Sequence, residues 1–553
     1  MKRLARRSAL RQVARLIGMA FCAPAAALGN ARVDYRTSAP ARRELLAKDH
    51  GLKGDGITDD GPANRAFLKL CQSSGADAVY TSGIYLFATM TGENHVLIPA
   101  PSDTRIIRRG RVVFKAGGGM NSAAPFGWNF IAPERTGPDF EIRNLVVRGI
   151  TFDHNGANNT YRMPATPKNA AVLAPHCRNV VIQDCKSLNN AGRQSFSLGS
   201  VDDDGTPTAE GVIVERCSIR NVAQAIPGNA SATDHSSIYV VANGFTIRDI
   251  DCSNDRPCSV STGVEFHGTR GRVYRVNVRH YAQAANFSAQ VCDTEDVVLG
   301  PGVIGSSLLA GITFWCNAGR TLDAQVTGPN DFRFRTNVVS PFDAYRNIDE
   351  CAIFSLRFEG TRYRYEGSRH AINAPDGLRI RYFRSLVFRG NHAQDLLGRA
   401  LYIGTCSPGD GAHVRIENNV FERCSSTTMN AAYDSAIMLG VDAPCTFKTL
   451  TLTANRAYAC GSTLYALSSA PVKIGAMQDE NTSIDRTMKR GGMIGAAVRL
   501  APGRIRIQRT DNASPQDAVR ASYGSEIVDS TTGTVWRCNE SGESAQAWIP
   551  LSS

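Results

Sequence analysis

Short apolar-alternating strands recur through the middle of the chain, with Gly, Asn and Asp between them and no helical period intervening. One series reads Asn179-Val-Val-Ile-Gln-Asp-Cys, Gly211-Val-Ile-Val-Glu-Arg-Cys, Gly244-Phe-Thr-Ile-Arg-Asp-Ile and Arg272-Val-Tyr-Arg-Val-Asn-Val. A second lies between them: Phe196-Ser-Leu, Ile238-Tyr-Val, Val264-Glu-Phe, Ala285-Asn-Phe and Ile312-Thr-Phe. The repeat of roughly 20 to 40 residues is that of a solenoid, whose coils bury their inner faces only by stacking. A sandwich also shows many short strands, but here strands repeat in type as well as spacing, and Asn-rich turns such as Leu188-Asn189-Asn190 follow them. The expected fold class is all-β, a right-handed single-stranded parallel β-helix.

The pattern resumes at Val414-Arg-Ile-Glu-Asn-Asn-Val-Phe and Thr449-Leu-Thr-Leu-Thr-Ala-Asn, whereas 318–377 fits it less well and reads as loop insertions. Ahead of the repeats, Asp59-Asp60-Gly61-Pro62 supplies helix-start residues, and Ala63 to Cys71 is helix-compatible. Such a helix suits the open end of a solenoid. The β-helix is expected over 44–500. Two strands joined by a Thr-Thr-Gly turn, ending near Trp548, read as a small β module over 510–553.

Residues 1–31 read as an export signal: Lys2, Arg3, Arg6, Arg7, Arg11 and Arg15 precede a short apolar stretch, Leu16 to Leu28, and a small-residue cleavage site. The expected location is therefore periplasmic or extracellular. Loss of those six cations lowers the net charge from +12 to +6. That mild excess is compatible with an acidic glycan without demanding one. Nucleic acid is not an expected partner, because no dense basic stripe is interleaved with aromatics. No later stretch is apolar and long enough to span a bilayer. The chain holds 15 cysteines but no CxxC pair, so no zinc site, metal or cofactor is expected. Cys185 and Cys217 fall at one place in successive repeats and read as stacked small residues; Cys252 and Cys258 are the candidate disulfide.

Gly54-Asp55-Gly56-Ile57-Thr58-Asp59-Asp60, then the helix, then Gly83-Ile84-Tyr85-Leu86, resembles the N-terminal signature of the rhamnogalacturonase/epimerase-like pectate lyase superfamily. The resemblance implies a parallel β-helix working on polysaccharide, by hydrolysis, lyase chemistry or epimerisation, or binding it without catalysis; it implies fold more strongly than reaction. The polygalacturonase motifs of some relatives are missing. Thr233-Asp234-His235 is a fragment of one, and Arg504-Ile505-Arg506 lies too late. Asp55, Asp59 and Asp60 read as turn and cap residues.

Alternation in the second series turns the large apolar residues inward. One outward column is then Ser197, Tyr239, Glu265, Asn286 and Thr313, and another Gly199, Val241, His267, Ser288 and Trp315. An acid, a histidine, hydroxyls, an amide and aromatics on one exposed sheet face are the mixture that sugars bind. Glu265 is the best single acid for glycoside hydrolysis. Its candidate partners are Asp234, which turn chemistry explains equally well, and the Asp202-Asp203-Asp204 triplet, which an Asx-rich turn explains better. His267 is a further catalytic candidate; Tyr239, Asn286, Ser288, Trp315 and Ser197 would position sugar. No Lys lies between Lys186 and Lys448, which disfavours a lysine-based lyase. Asp153-His154-Asn155 reads as a turn or a groove wall. The oligomeric state is open.

Overall fold

The computed structural model describes residues 42–551 except 160–168, 191, 193, 223–234, 256–260, 318, 335–352, 367–376, 381–382, 405–410, 426–434, 441–444, 462, 468–471, 481–489, 495–497, 501–503, 508–519, 522–525, 530–533 and 540–547. Within these the chain is a right-handed parallel β-solenoid of about eleven turns, the fold class the repeats imply.

Alternation explains the core. Ile106, Val147, Ile182, Val214, Ile247 and Val273 pair in register from coil to coil, and the column runs on through Phe358 and Phe388 to Leu452. All are buried. On another inner face Phe266 packs edge-on to Phe287 with centroids 4.6 Å apart, and Phe287 stacks on Phe314 at 5.4 Å. Cys185 and Cys217 lie among buried side chains as expected. Of the segment 318–377, Thr321–Phe334 and Ile353–Tyr365 pair in parallel. They are coil strands, and what looked like insertion is in part solenoid with a less regular sequence.

The turns repeat a backbone shape. Asn144, Asn179, Gly211, Gly244, Arg270 and Asp296 stack in successive coils, all in the left-handed region. Asn tolerates that region better than most residues, and the Asn179 amide also donates to Asn144 Oδ1 at 3.0 Å. Further along, a buried asparagine ladder does similar work. Asn419 Oδ1 accepts from the Asn391 backbone N–H at 2.9 Å and from Asn391 Nδ2 at 3.1 Å. Asn419 Nδ2 donates to the Phe388 carbonyl at 2.9 Å and to Asn455 Oδ1 at 2.8 Å.

The N-terminal end is closed by helix α1, Gly61–Ser74, with Pro62 in its first turn. It is longer than the span read from sequence. It buries Asn64, Phe67, Leu68 and Cys71, one helical face, and Phe67 packs edge-on to Tyr80 with centroids 5.8 Å apart. The acidic signature ahead of it is structural. Asp60 accepts from the Lys53 and Gly54 amides, Asp59 from those of Gly61 and Ala88, and Asp55 from those of Ile57 and Thr58. Those bonds hold the exposed Asp55 carboxyl at about 2. Gly83 is required by close approach: a Cβ there would sit 2.6 Å from the Gly54 carbonyl oxygen. At the other end the strand Glu526–Asp529 joins the parallel stack, then pairs antiparallel with Val535–Cys538, which pairs antiparallel with Trp548–Leu551.

Cys252 is a buried free thiol rather than half of a disulfide, which corrects that expectation; burial pushes its pKa well up. Cys258 lies outside the described residues. Cys445 is disulfide-bonded. No helix among the described residues is long and apolar enough to cross a membrane.

Candidate functional site

Strands β1 (Val96–Pro99), β2 (Asn129–Ala132), β3 (Ala170–Ala174), β4 (Gln194–Leu198), β5 (His235–Ser253) and β6 (Ser261–Ala289) stack in parallel across one face of the solenoid. Left-handed residues at Gly268, Arg270, Arg275 and His280 bend β6 around its coil. Register brings Leu173, Ser197, Tyr239 and Glu265 into one column, as alternation predicts. Gln283 Nε2 donates to Thr262 Oγ1 at 2.6 Å, and Phe266 packs edge-on to Phe287, so Asn286 follows Glu265 in the next coil. Asn286 pairs in turn with Thr313, and Ser288 with Trp315, on the strand Ile304–Cys316.

The column is not the exposed sheet face expected from sequence. Glu265 is 6 % exposed, and Ser197, His267, Asn286 and Ser288 are also buried; Trp315 is half-buried, its Nε1 donating to Asn317 Oδ1 at 3.2 Å. A groove of about 770 Å³ lies over part of the column. Glu265, Tyr239, Ser197 and Leu173 line it together with Gly199 and Ser200, and Gln290 and Val291 close one end. Glu93, Asn94 and His95 wall the other, with Phe126, Gly127 and Thr136. Coils lie about 4.8 Å apart, so a groove reaching from β2 to β6 is on the order of 20 Å long, along the solenoid axis.

Glu265 is held at both oxygens. Ser236 Oγ donates to Oε2, and His267 Nε2 lies 3.2 Å from Oε1. The Tyr239 ring tilts against the imidazole, centroids 5.1 Å apart. His267 Nδ1, Asn286 Oδ1, Ser288 Oγ and Asn129 Oδ1 are buried without a hydrogen-bond partner. Unpaired buried polar atoms each cost about 1–3 kcal/mol; of these four, Asn129 belongs to the groove lining, where a polar ligand or water can complete it. A carboxyl beside an imidazole and a phenol can pass a proton to or from such a ligand.

Of the proposed acidic partners, Asp203 is not among the residues that line the groove with Glu265. Asp203 stands on an exposed turn outside the groove lining, beside Asp202, whose Oδ1 accepts from the Asp204 and Thr206 amides; the Asx-turn reading is the one observed. Asp234 lies outside the described residues. Asp153-His154-Asn155 is a turn over the core rather than a wall. The Asp153 carboxylate accepts from the Asn155 amide at 3.0 Å, while His154 is buried against Trp128 and Phe130, where desolvation lowers its pKa to about 3. Among the described residues no group of three or more His, Cys, Asp or Glu could hold a metal ion.

Sequence reasoning missed the wall residues Glu93, Asn94, His95 and Phe126. Phe126 is 79 % exposed, and it sits on a loop fastened from below. Asn121 Oδ1 accepts from Trp128 Nε1 at 2.7 Å and from Asn169 Nδ2 at 3.0 Å, and Asn159 Oδ1 accepts from the Met120 amide at 2.8 Å. An aromatic between glycine-rich turns, at Phe126-Gly127, is the only signal of it in the sequence.

No family model and no curated protein matches the chain. Solved structures do match. The tailspike protein of E. coli bacteriophage HK620, in complex with a pentasaccharide, aligns at TM-score 0.57 and 11 % identity over 88 % of this chain and 80 % of its own. A variant of that tailspike with the same ligand gives 0.58 at the same identity and coverage. The A-module of Azotobacter vinelandii mannuronan C-5 epimerase AlgE4 aligns at 0.41 and 10 % over 79 % and 96 %. The chain is thus a right-handed parallel β-helix protein, and the fold implied by its pectate-lyase-like signature is the fold observed.

Proposed function

We propose that this protein binds a polysaccharide along the groove and cleaves it as a glycoside hydrolase, with Glu265 as the catalytic acid. The observation that carries this reading is the Glu265 carboxyl, buried on the groove floor between Ser236 and His267, beneath an open cleft that an exposed Phe126 and Tyr239 help line. Aromatic faces suit sugar rings, and a carboxyl on the floor can protonate a glycosidic oxygen. The pentasaccharide complex of the similarly folded tailspike supports the assignment of ligand class. His267 Nε2 orients Glu265 and exchanges its proton; Tyr239, Asn286, Ser288, Trp315 and Ser197 shape the subsites. Hydrolysis also needs a group to activate water or attack carbon, and Asp234 is our candidate for it. Residues 1–31 would export the protein to the periplasm or beyond the cell.

A binding protein without catalysis is the second reading, favoured by Glu265 being the one carboxylate on the described floor beside Tyr239 and His267. A lyase or epimerase would draw instead on Tyr239 and His267 as proton carriers. The test is reducing-end release from a panel of polysaccharides. Glu265→Gln keeps the side-chain shape and should cut turnover about 10²–10⁴-fold while leaving retention on the substrate intact. Full activity in that variant removes Glu265 from the chemistry. Products that absorb in the ultraviolet indicate a lyase, and retention without any product indicates a binding protein.

A further inference from the structure

Resting on the polysaccharide reading of the groove, we infer that its ligand is an uncharged glycan rather than a uronate or other polyanion. The protein is basic overall, yet the described groove lining contains two carboxylates, Glu93 and Glu265, and no lysine or arginine. Arg135 Nε lies 3.5 Å from Glu93 Oε1 and offsets that carboxylate, and His95 is the imidazole of the described lining. The arginines are spent elsewhere. Arg178 pairs with Glu141, Arg216 with Asp184, Arg248 with Glu215 and Arg275 with Asp249, in ladders carried by strands on the other faces of the coils. Along the described lining a polyanion would meet the Glu265 carboxylate with no lysine or arginine to receive its own.

Asn129 Oδ1, on the groove lining, is a buried acceptor without a donor. An acceptor left open is completed by an O–H or N–H, which the hydroxyls and N-acetyl groups of an uncharged sugar supply, so the discrimination against uronates rests on charge. Phe126 adds an apolar face for a ring, and the length along the axis suits an extended oligosaccharide. Lyase and epimerase chemistry needs a cation on the uronate carboxylate, so the same charge pattern also separates hydrolysis from those reactions.

The test is a glycan array carrying uncharged chains (mannans, galactans, glucans, N-acetylhexosamine polymers) beside polygalacturonate, alginate and sialylated chains. It compares wild type with Phe126→Ala. Phe126 is exposed, so an unchanged melting temperature certifies the variant's fold. The expected result is retention of an uncharged chain, weakened about tenfold or more by Phe126→Ala. That retention should stay nearly flat between low salt and 1 M, where the screening length falls to about 3 Å. Phe126-dependent retention of uronate or sialylated chains, collapsing in salt, overturns the inference and leaves the groove reading standing. No Phe126-dependent retention of any glycan overturns the groove reading and the inference with it.

Discussion

Asn419→Ala removes one rung of the buried asparagine ladder, and its cost can be worked out bond by bond. Asn391 Nδ2 keeps the Phe358 carbonyl, and Asn455 Oδ1 keeps the Asn419 backbone N–H. Two groups lose their partners: the Asn391 backbone N–H and the Phe388 carbonyl. Both sit where the side chains of Asn391, Asn419 and Asn455 are buried. At about 1–3 kcal/mol per orphaned group the loss is about 2–6 kcal/mol. Asn419→Asp is the informative companion. Its carboxylate still accepts from Asn391 but cannot donate to Phe388, and it sets an acceptor against Asn455 Oδ1. It should therefore be at least as damaging, though its volume is unchanged. Because coils interact with their neighbours, the loss is read best locally, by native-state hydrogen exchange. The Asn391 amide should lose at least about 30-fold protection, from 2 kcal/mol at 1.4 kcal/mol per tenfold. Amides of the first coils should change little. Unaltered Asn391 protection in Asn419→Ala would refute the ladder's energetic role.

Three further outcomes are expected. Ser236→Ala strips a donor from Glu265 and should lower turnover about ten- to a hundredfold with less effect on retention, by steady-state kinetics on the cleaved polysaccharide. His154 is buried neutral with its pKa lowered from 6.5 to about 3, so the unfolded chain binds a proton the native one does not. Its contribution is intact above pH 6.5 and lost as pH falls towards 3, at about 1.4 kcal/mol per pH unit. His154→Phe should flatten that acid limb of the urea midpoint by about one proton, and an unchanged limb would count against it. Burial raises the thiols of Cys71 to about 11 and of Cys177 and Cys292 to about 12. They should resist a thiol reagent in the native protein and react in guanidinium; prompt native modification would contradict their placement.

The solenoid was legible because its determinants are local and repeated. Val264-Glu-Phe beside Ala285-Asn-Phe shows which side chains face inward, and Asn144 and Asn179 mark turns needing a left-handed residue. Helix α1 was legible from Asp60, Pro62 and its apolar spacing, though its C-terminal turn ran past Cys71 to Gly75. The site was half legible. Alternation placed Tyr239 and Glu265 side by side, and His267 on the same face, because period two fixes a face. It says nothing about what comes over that face. The groove over Tyr239 and Glu265 is completed by turns such as Gly199–Ser200 and Gln290–Val291, and by Glu93 and Phe126, coils away in sequence. Asp203 looked like a catalytic partner by coil counting, but it stands on an exposed turn outside the groove lining. Cys252 looked bridged by proximity in sequence, and its strand buries it instead.

The turn ladder of Asn144, Asn179, Gly211, Gly244, Arg270 and Asp296 has an evolutionary corollary. Each rung transmits a conformation to the next, and four residue types serve at six rungs. Selection there acts on the shape of the backbone and is largely indifferent to the letter that achieves it. Lineages with this architecture can lose every recognisable sequence trace while their coils still superimpose. A whole coil can be gained or lost at a rung without renegotiating its neighbours, and each one gained would extend the Glu265 groove by one inter-coil step.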